Sequence, residues 1–250
     1  MTKSIIAFIP ARSGSKRIPD KNIKDFCGQP LIAYSITSAI NSGIFSKIIC
    51  VTDSHKYAEI ANFYGAEVPS LRPLEISGDV SPDIDWVKWA LKLTQLNSTC
   101  YDAYAILRPT NPFRSPESIH SAWTALQKYN GATSIRAVEK CQQHPGKMWQ
   151  KHGDLIEPFW PEKIDGVPFH SNQTSKLPEV FVQNASLEMA WIEMTMKTNS
   201  ISGDTVIPYF SRNYEGFDIN HQIDLIVGEK LVQEKLALLP EVNKKYCDLT

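Results

Sequence analysis

The strongest constraint on the fold is a repeated change of hydrophobic period along the chain. Short apolar runs at residues 4–9, 47–52, 103–107 and 132–138 have the length and bounding residues of buried strands. Between them, segments 30–41, 55–64, 83–96 and 116–129 carry apolar residues three and four apart. These read as helices, the second stopping at Gly65. A strand buried on both faces reads as a continuous apolar run. Strands alternating with helices at this spacing predict an α/β fold with a mostly parallel sheet covered on both sides. After about residue 139 the period is lost. Residues 141–180 are rich in Pro, Gly, His and Asn and read as an excursion of short strands and loops. Regular structure is expected again at 187–193 and 206–210, with a helix from about 221 to 239. The 250 residues are read as one domain, with 141–180 as its insertion.

Composition excludes several classes. Hydrophobic residues make up 42% and charged residues 21%, which fits a packed globular chain and not a disordered one. With 26 Lys and Arg against 27 Asp and Glu, no global basic charge speaks for a nucleic-acid partner. The five cysteines, Cys27, Cys50, Cys100, Cys141 and Cys247, form no C-x-x-C pair and read as free thiols, most of them buried. The six histidines offer no closely spaced ligand pair, so a catalytic zinc is not expected. The first apolar run is too short for a signal peptide, and no stretch approaches the roughly 20 apolar residues of a membrane span. A soluble, cytoplasmic protein without a membrane partner is the expectation.

In open α/β sheets, ligands bind beyond the carboxyl ends of the strands. Residues 11–22, Asp53, 71–85 and 108–114 should therefore line one site. The first of these carries the sharpest chemistry. Between Arg12 and Lys24 lie five cations (Arg12, Lys16, Arg17, Lys21 and Lys24) against the single acid Asp20. Ser13, Gly14 and Ser15 let backbone amides turn toward a ligand. Amides and cations together suit a polyphosphate. A solvated basic loop is the plainer alternative, and the pattern is not the G-x-x-x-x-G-K-[ST] phosphate loop.

Pro10, Ala11, Arg12, Ser15, Lys16, Pro19, Lys21 and Asn22 match the signature of the acylneuraminate cytidylyltransferases, which this chain resembles. The resemblance continues through 71–73, 107–114, 144–147, 176–184 and 217–225, nearly the whole length. It implies a Rossmann-like nucleotidyltransferase fold and a homodimer built through the irregular segment, where Trp149 and Trp160 would serve. It also implies a reaction in which the anomeric hydroxyl of a nonulosonic acid attacks the α-phosphorus of CTP and pyrophosphate leaves; a cytidylyltransferase for another acid, such as a 3-deoxy-octulosonate or a phosphonate, and a catalytically weak nucleotide-binding protein are the alternatives. By the same resemblance Ala11, Arg12, Ser15, Lys16, Lys21 and Asn22 would bind the nucleotide. Arg12 and Lys21, with Asp218, would be catalytic. Arg72 would face the cytosine, or else pair with Asp79 or Glu75. Lys147 would meet the sugar carboxylate. Asp218 and Asn220 occupy a metal-binding D-x-D position for Mg²⁺ or Mn²⁺, with an amide in the second place. Asn220 also reads as the N-cap of the following helix.

Three further departures from the family pattern bear on the acceptor sugar. Arg108 stands where Gln is common, and either reads a sugar substituent or folds onto Asp83 or Asp85. Thr174 stands where many members carry Arg. Asn184 is retained, but Ala185 replaces a Gly. Glu188 could read an amine or hydroxyl, or pair with a neighbouring cation. Trp86 and Trp89, at helical spacing, read as core.

Overall fold

The computed structural model of the chain describes residues 3–95 and 101–246. It divides into two compact units, Met1–Ala137 with Asn184–Thr250, and Val138–Gln183. The chain runs through β1 (Ile5–Pro10), the short pair β2 (Asp25–Phe26) and β3 (Gln29–Pro30), and α1 (Leu31–Ser42). Then come β4 (Phe45–Val51), α2 (His55–Tyr64), α3 (Asp83–Gln95), β5 (Ala103–Ile106), α4 (Pro116–Lys128) and β6 (Ser134–Lys140). After the hairpins β7/β8 (Trp149–His152, Leu155–Pro158) and β9/β10 (Lys163–Ile164, Val167–Pro168), the chain returns through β11 (Phe181–Trp191), α5 (Ile192–Thr198), β12 (Val206–Phe210) and α6 (Gln222–Gln233).

A six-stranded sheet with order β12-β6-β11-β5-β1-β4 organises the larger unit. β1 pairs in parallel with both β4 and β5, while β11 runs antiparallel to β5, placing Glu188 opposite Ile106. Every residue from Ile5 to Ile9 is fully buried, as a central strand covered on both faces requires. Alternate side chains serve opposite layers. Ile5, Ala7 and Ile9 pack with residues of α1, α2 and α4, whereas Ile6 and Phe8 pack with Trp86, Val87, Ala90 and Leu91 of α3. Helix ends follow local chemistry. The Ser54 hydroxyl accepts from the Tyr57 amide, Gly65 closes α2 at φ 106°, and Ser115 with Pro116 opens α4.

The α/β class read from the sequence holds, with three corrections. The strand expected at 187–193 begins at Phe181, ends at Trp191 and is followed by α5. α5 is too short to show a clear period, and Asn199, in the left-handed region at φ 54°, stops it. The last helix ends at Gln233 instead of near 239, since Lys235 adopts φ 57° and turns the chain out of the helix. Cys50 is buried, but Cys27 is exposed and Cys141 intermediate. Cys100 and Cys247 lie outside the described residues, as does Leu96 at the end of the helix expected over 83–96.

The smaller unit consists of two antiparallel hairpins and 3-10 turns. Asp165 and Gly166, at φ 52° and 79°, make the two-residue turn of β9/β10. His144 accepts from the Gly146 amide at 2.9 Å, so its ring proton sits on Nε2 and is donated to the Pro178 carbonyl at 2.8 Å. Trp160 stacks on that ring, while Trp149, Leu155, Ile156 and Phe159 remain exposed. No helix among the described residues is long and apolar enough to cross a membrane.

α6 is fixed against the core where Gly228 faces two aromatic rings. A Cβ there would lie 2.9 Å from Phe26 Cζ and 3.2 Å from Phe217 Cε1. Ala raises helix propensity by about 1 kcal/mol, but overpacking costs about 1–3 kcal/mol. Gly228→Ala should therefore be less stable in urea unfolding, by about 1 kcal/mol. Equal or greater stability would show that the rings yield freely.

Candidate active site

A cleft of about 630 Å³ opens at the carboxyl edge of β1 and β5. Its lining brings together Arg12, Ser15, Lys16, Lys21 and Asn22 with Arg72, Arg108, Asp218 and Asn220. The loop after β1 is tied down at several points. The Ala11 amide donates to the Val51 carbonyl at 3.0 Å. Asp53, at the end of β4, accepts from the Ser13 amide at 2.6 Å and from its hydroxyl at 3.0 Å. The Asn22 side chain donates to the Arg12 carbonyl at 3.1 Å, and the Tyr57 hydroxyl meets Asp20 at 3.0 Å. Gly14 takes φ 69°, where only glycine turns without strain. Ala11 is fully buried and its amide is engaged by the sheet, so it supports the loop and does not face the cleft.

The cations leave this loop in two directions. Arg12 Nη2 lies 2.5 Å from Asp79 Oδ1, and Lys16 Nζ lies 2.6 Å from Asp79 Oδ2. Lys21 reaches the opposite wall, donating to the Ile219 carbonyl at 2.9 Å and to Asn220 Oδ1 at 3.2 Å. Burial lowers its pKa and the nearby Asp218 carboxylate partly offsets that. On that wall Asp218 Oδ2 accepts from the Asn220 amide at 2.7 Å. Asp218 Oδ1 is buried and has no hydrogen-bond partner among the described residues. The wall is fixed from outside the cleft: the Ile219 amide donates to the Thr110 carbonyl, and Asn111 Nδ2 to the Phe217 carbonyl.

Asn220 is not the helix cap that the sequence suggested. His221 holds the N-cap position, and Asp224 accepts from the amides of both Asn220 and His221, at 2.8 and 2.7 Å. An acid three residues into the helix has taken over the capping. The Asn220 side chain is thereby left to the cleft, between Asp218 and Lys21.

Arg72 pairs with neither Asp79 nor Glu75. Its guanidinium closes on the Ile76 carbonyl and lies 5.8 Å from the Trp86 ring centre. Burial lowers its pKa. Trp86 is a core residue, as expected, yet its edge also lines the cleft. Arg108 folds onto a carboxylate, and onto a second one as well. Its Nη2 meets Asp83 at 2.6 Å and Glu188 at 2.9 Å, while Arg136 holds the other Glu188 oxygen at 2.9 Å. Burial pulls the Arg108 pKa down, and the charges of Glu188 and Asp83 more than reverse it.

Two other acceptor-side residues are committed to internal contacts. Glu188 is 4% exposed, accepts a hydrogen bond from Arg108 and lies within ion-pair distance of Arg136. Asn184 bonds Ser211 and Ser186. In the smaller unit Lys147 donates to the carbonyls of His170 and Asn172. The sequence reading overlooked Arg114, which is buried and donates to Ser35, Arg108 and Ser186 backbone or hydroxyl oxygens. Burial pushes its pKa down to about 9. It fixes the loop after β5, and no local pattern marked it apart from its neighbour Arg108.

Among the described residues no three His, Cys, Asp or Glu side chains converge on a metal position. The orphaned Asp218 oxygen beside the Asn220 amide suits a hard cation that draws its other ligands from water and phosphate.

The sequence profile of the family described as "Cytidylyltransferase" matches residues 6–145, the segment that holds the basic loop, Arg72 and Arg108. The chain belongs to the cytidylyltransferase family. It is 32% identical over 232 residues to the CMP-N,N'-diacetyllegionaminic acid synthase of Legionella pneumophila, covering 92% of this chain and 96% of that one. It is 40% identical to the N-acylneuraminate cytidylyltransferase of Escherichia coli over 98% of its own length and 57% of that longer protein. The fold is also that of a solved CMP:2-keto-3-deoxy-manno-octonic acid synthetase complexed with CTP, with TM-score 0.64, 11% identity, and coverage of 93% and 100%. This cytidylyltransferase thus brings the basic loop and the single carboxylate of its D-x-N segment into the lining of one cleft.

Arg108 and Asp83 supply a test of that wall. Burial raises the Asp83 pKa, but Arg108 outweighs it and the net shift is downward. A carboxyl with a depressed folded pKa contributes stability above the usual range near pH ~4 and loses it as pH falls through the depressed value. Asp83→Asn should melt below wild type at pH 7, with the gap closing as pH drops below about 4. A gap that persists unchanged in acid would show that the ion pair is not its cause.

Proposed function

We propose that this cytidylyltransferase transfers CMP from CTP to the anomeric hydroxyl of a sialic-acid-like nonulosonic acid. The hydroxyl oxygen forms a bond to the α-phosphorus, the bond to the bridging oxygen of the β-phosphate breaks, and pyrophosphate leaves. The observation that supports this reading most is that Arg12, Lys16, Lys21 and Asp218 line one cleft. The names of the relatives at 32% and 40% identity support the acceptor class.

Displacement at phosphorus depends on charge neutralisation and alignment more than on covalent help from the protein. Arg12 and Lys16 would hold the outer phosphates, with Ser15 donating beside them. Lys21 stands between the loop and the Asp218 wall, where it can neutralise the reacting phosphate. Asn22 orders the loop through the Arg12 carbonyl and borders the ribose side. Arg72, closed on Ile76, offers a rigid edge to cytosine. Asp218, with the Asn220 oxygen, would hold Mg²⁺ or Mn²⁺, which when bound gathers phosphate oxygens and offsets charge on the departing pyrophosphate. On the acceptor side, Arg108 lines the cleft with its charge neutralised, which suits hydroxyl or amide oxygens better than a carboxylate. Lys147 remains the cation proposed for the sugar carboxylate. Asn184 and Glu188 support the β11 wall from behind. A cytoplasmic location is part of this reading, supported by the use of a nucleotide made inside the cell. The exposed Trp149 and Phe159 of the smaller unit support a homodimer, for which sedimentation at micromolar concentration is the check.

Pyrophosphate release by the full chain, with CTP, ATP, GTP or UTP and a panel of nonulosonic and octulosonic acids, tests the reading. Turnover should require CTP and a nine-carbon acid. A charge-assisted phosphate contact contributes about 1.5–3 kcal/mol, so Lys21→Ala should lose about 10- to 100-fold in kcat/KM while remaining folded. Unchanged kinetics would remove Lys21 from the site.

The metal role has its own readout. Asn220→Asp places a second carboxylate beside Asp218 and replaces the amide that now donates to it. The variant should melt lower than wild type without metal, gain more on adding Mg²⁺, and need less Mg²⁺ for half-maximal rate. A variant with the same Mg²⁺ response as wild type would detach Asn220 from the metal.

A further inference from the structure

Two cations of the basic loop are engaged by one acid from another loop. Asp79 places one oxygen 2.5 Å from Arg12 and the other 2.6 Å from Lys16. That is the way a phosphate group bridges two cations, with a separate oxygen for each. The Arg12 and Asp79 side chains are about one-third exposed and Lys16 is 81% exposed, so water screens both pairs. The two cations hold the Asp79 carboxyl below its usual range.

The segment that carries Asp79 is built to let it go. Its anchors lie at its two ends, in Arg72 closed on the Ile76 carbonyl and in Asp83 at the start of α3. Between them the loop bonds mainly to itself. The Ser77 hydroxyl donates to the Pro73 carbonyl, and the Gly78 amide donates to Ser81. Val80, next to Asp79, is 94% exposed. Swinging the carboxylate away breaks two screened ion pairs and opens no core.

We propose that Asp79 is an internal competitor for the phosphate seat. Its carboxylate occupies Arg12 and Lys16 until a polyphosphate displaces it, and returns to them as pyrophosphate departs. This rests on the reading of Arg12 and Lys16 as phosphate ligands. A triphosphate outbids one carboxylate because it brings several charges to the same cations, whereas an inorganic monophosphate brings fewer. Asp79 thereby raises the threshold for anion binding and shortens the stay of the product. Its loop exchanges one partner for another, and the two cations are never left without an anion.

Calorimetric titration of the full chain with CTP, and separately with inorganic pyrophosphate, tests this. Two exposed ion pairs correspond to about 3- to 10-fold in affinity, so Asp79→Asn should bind both ligands tighter by that factor. In turnover, KM for CTP should fall and pyrophosphate inhibition should deepen, with kcat unchanged or lower. Asp79→Ser, which retains neither charge nor reach, should behave likewise and guards against an Asn that keeps the old contacts. In a background of Arg12→Ala with Lys16→Ala, Asp79→Asn should change nothing. If both Asp79 variants, folded by their melting curves, bind CTP as wild type does or more weakly, Asp79 does not compete and the proposal falls. If Arg12→Ala with Lys16→Ala leaves wild-type CTP affinity intact, the phosphate reading itself has failed and the proposal goes with it.

Discussion

The parallel pairing of β1 with β4 and with β5 brings three strand ends to one edge of the sheet, at Pro10, Val51 and Ile106. All else in the site depends on that register. It puts Asp53, at the end of β4, within 2.6 Å of the Ser13 amide, and so ties the basic loop to the neighbouring strand. It also puts the loop after β5 beside residues 217–220, where Thr110 and Asn111 fix the backbone that presents Asp218. β1 contributes to both hydrophobic layers, its side chains alternating between them. The strand order is stabilised by apolar burial, and the polar loops are then positioned by hydrogen bonds that burial alone does not specify.

Several cations at the cleft already have partners. Arg12 and Lys16 share Asp79, Arg108 is held by Asp83 and Glu188, and Lys21 rests on the Ile219 carbonyl and the Asn220 amide. The exposed pairs around Asp79 are exchanged at small cost. The more buried set of Arg108, Glu188 and Arg136 is not, because removing one partner leaves an uncompensated charge away from water. The cleft therefore has an adaptable end around Asp79, where the proposed reading seats the polyphosphate, and a rigid end at the β11 wall. Cytidylyl transfer needs both, one to admit and release polyphosphates and one to hold the reacting groups in line.

What was legible in the sequence is what local periodicity encodes. The buried run of β1, the span of α2 with its stop at Gly65, and the excursion of short strands and loops over 141–180 could be read from the residues themselves. The basic loop was legible because five cations follow a strand directly. The partners of those cations were not. Asp79 lies 67 residues from Arg12 in sequence and Glu188 lies 80 from Arg108, so no spacing rule connects them. Arg108 was open between a ligand and a carboxylate; it meets Asp83 at the start of α3, and the antiparallel placement of β11 beside β5 adds Glu188. Asn220 looked like a cap because its residue type is a good one, yet Asp224 reaches back and caps the helix in its place. Glu188 was open between a sugar group and a neighbouring cation, and it pairs with Arg108 and Arg136; Asn184 is engaged by Ser211 and Ser186.

The central claim is that the loop after β1 and the Asp218 wall hold the triphosphate and its metal between them. A crystal of the full chain grown with CTP and Mn²⁺, measured for anomalous scattering by manganese, tests this most directly. The account predicts a manganese peak at Asp218, with the triphosphate lying along Arg12, Lys16 and Lys21. A manganese peak away from Asp218, or a triphosphate bound outside this cleft, would contradict it.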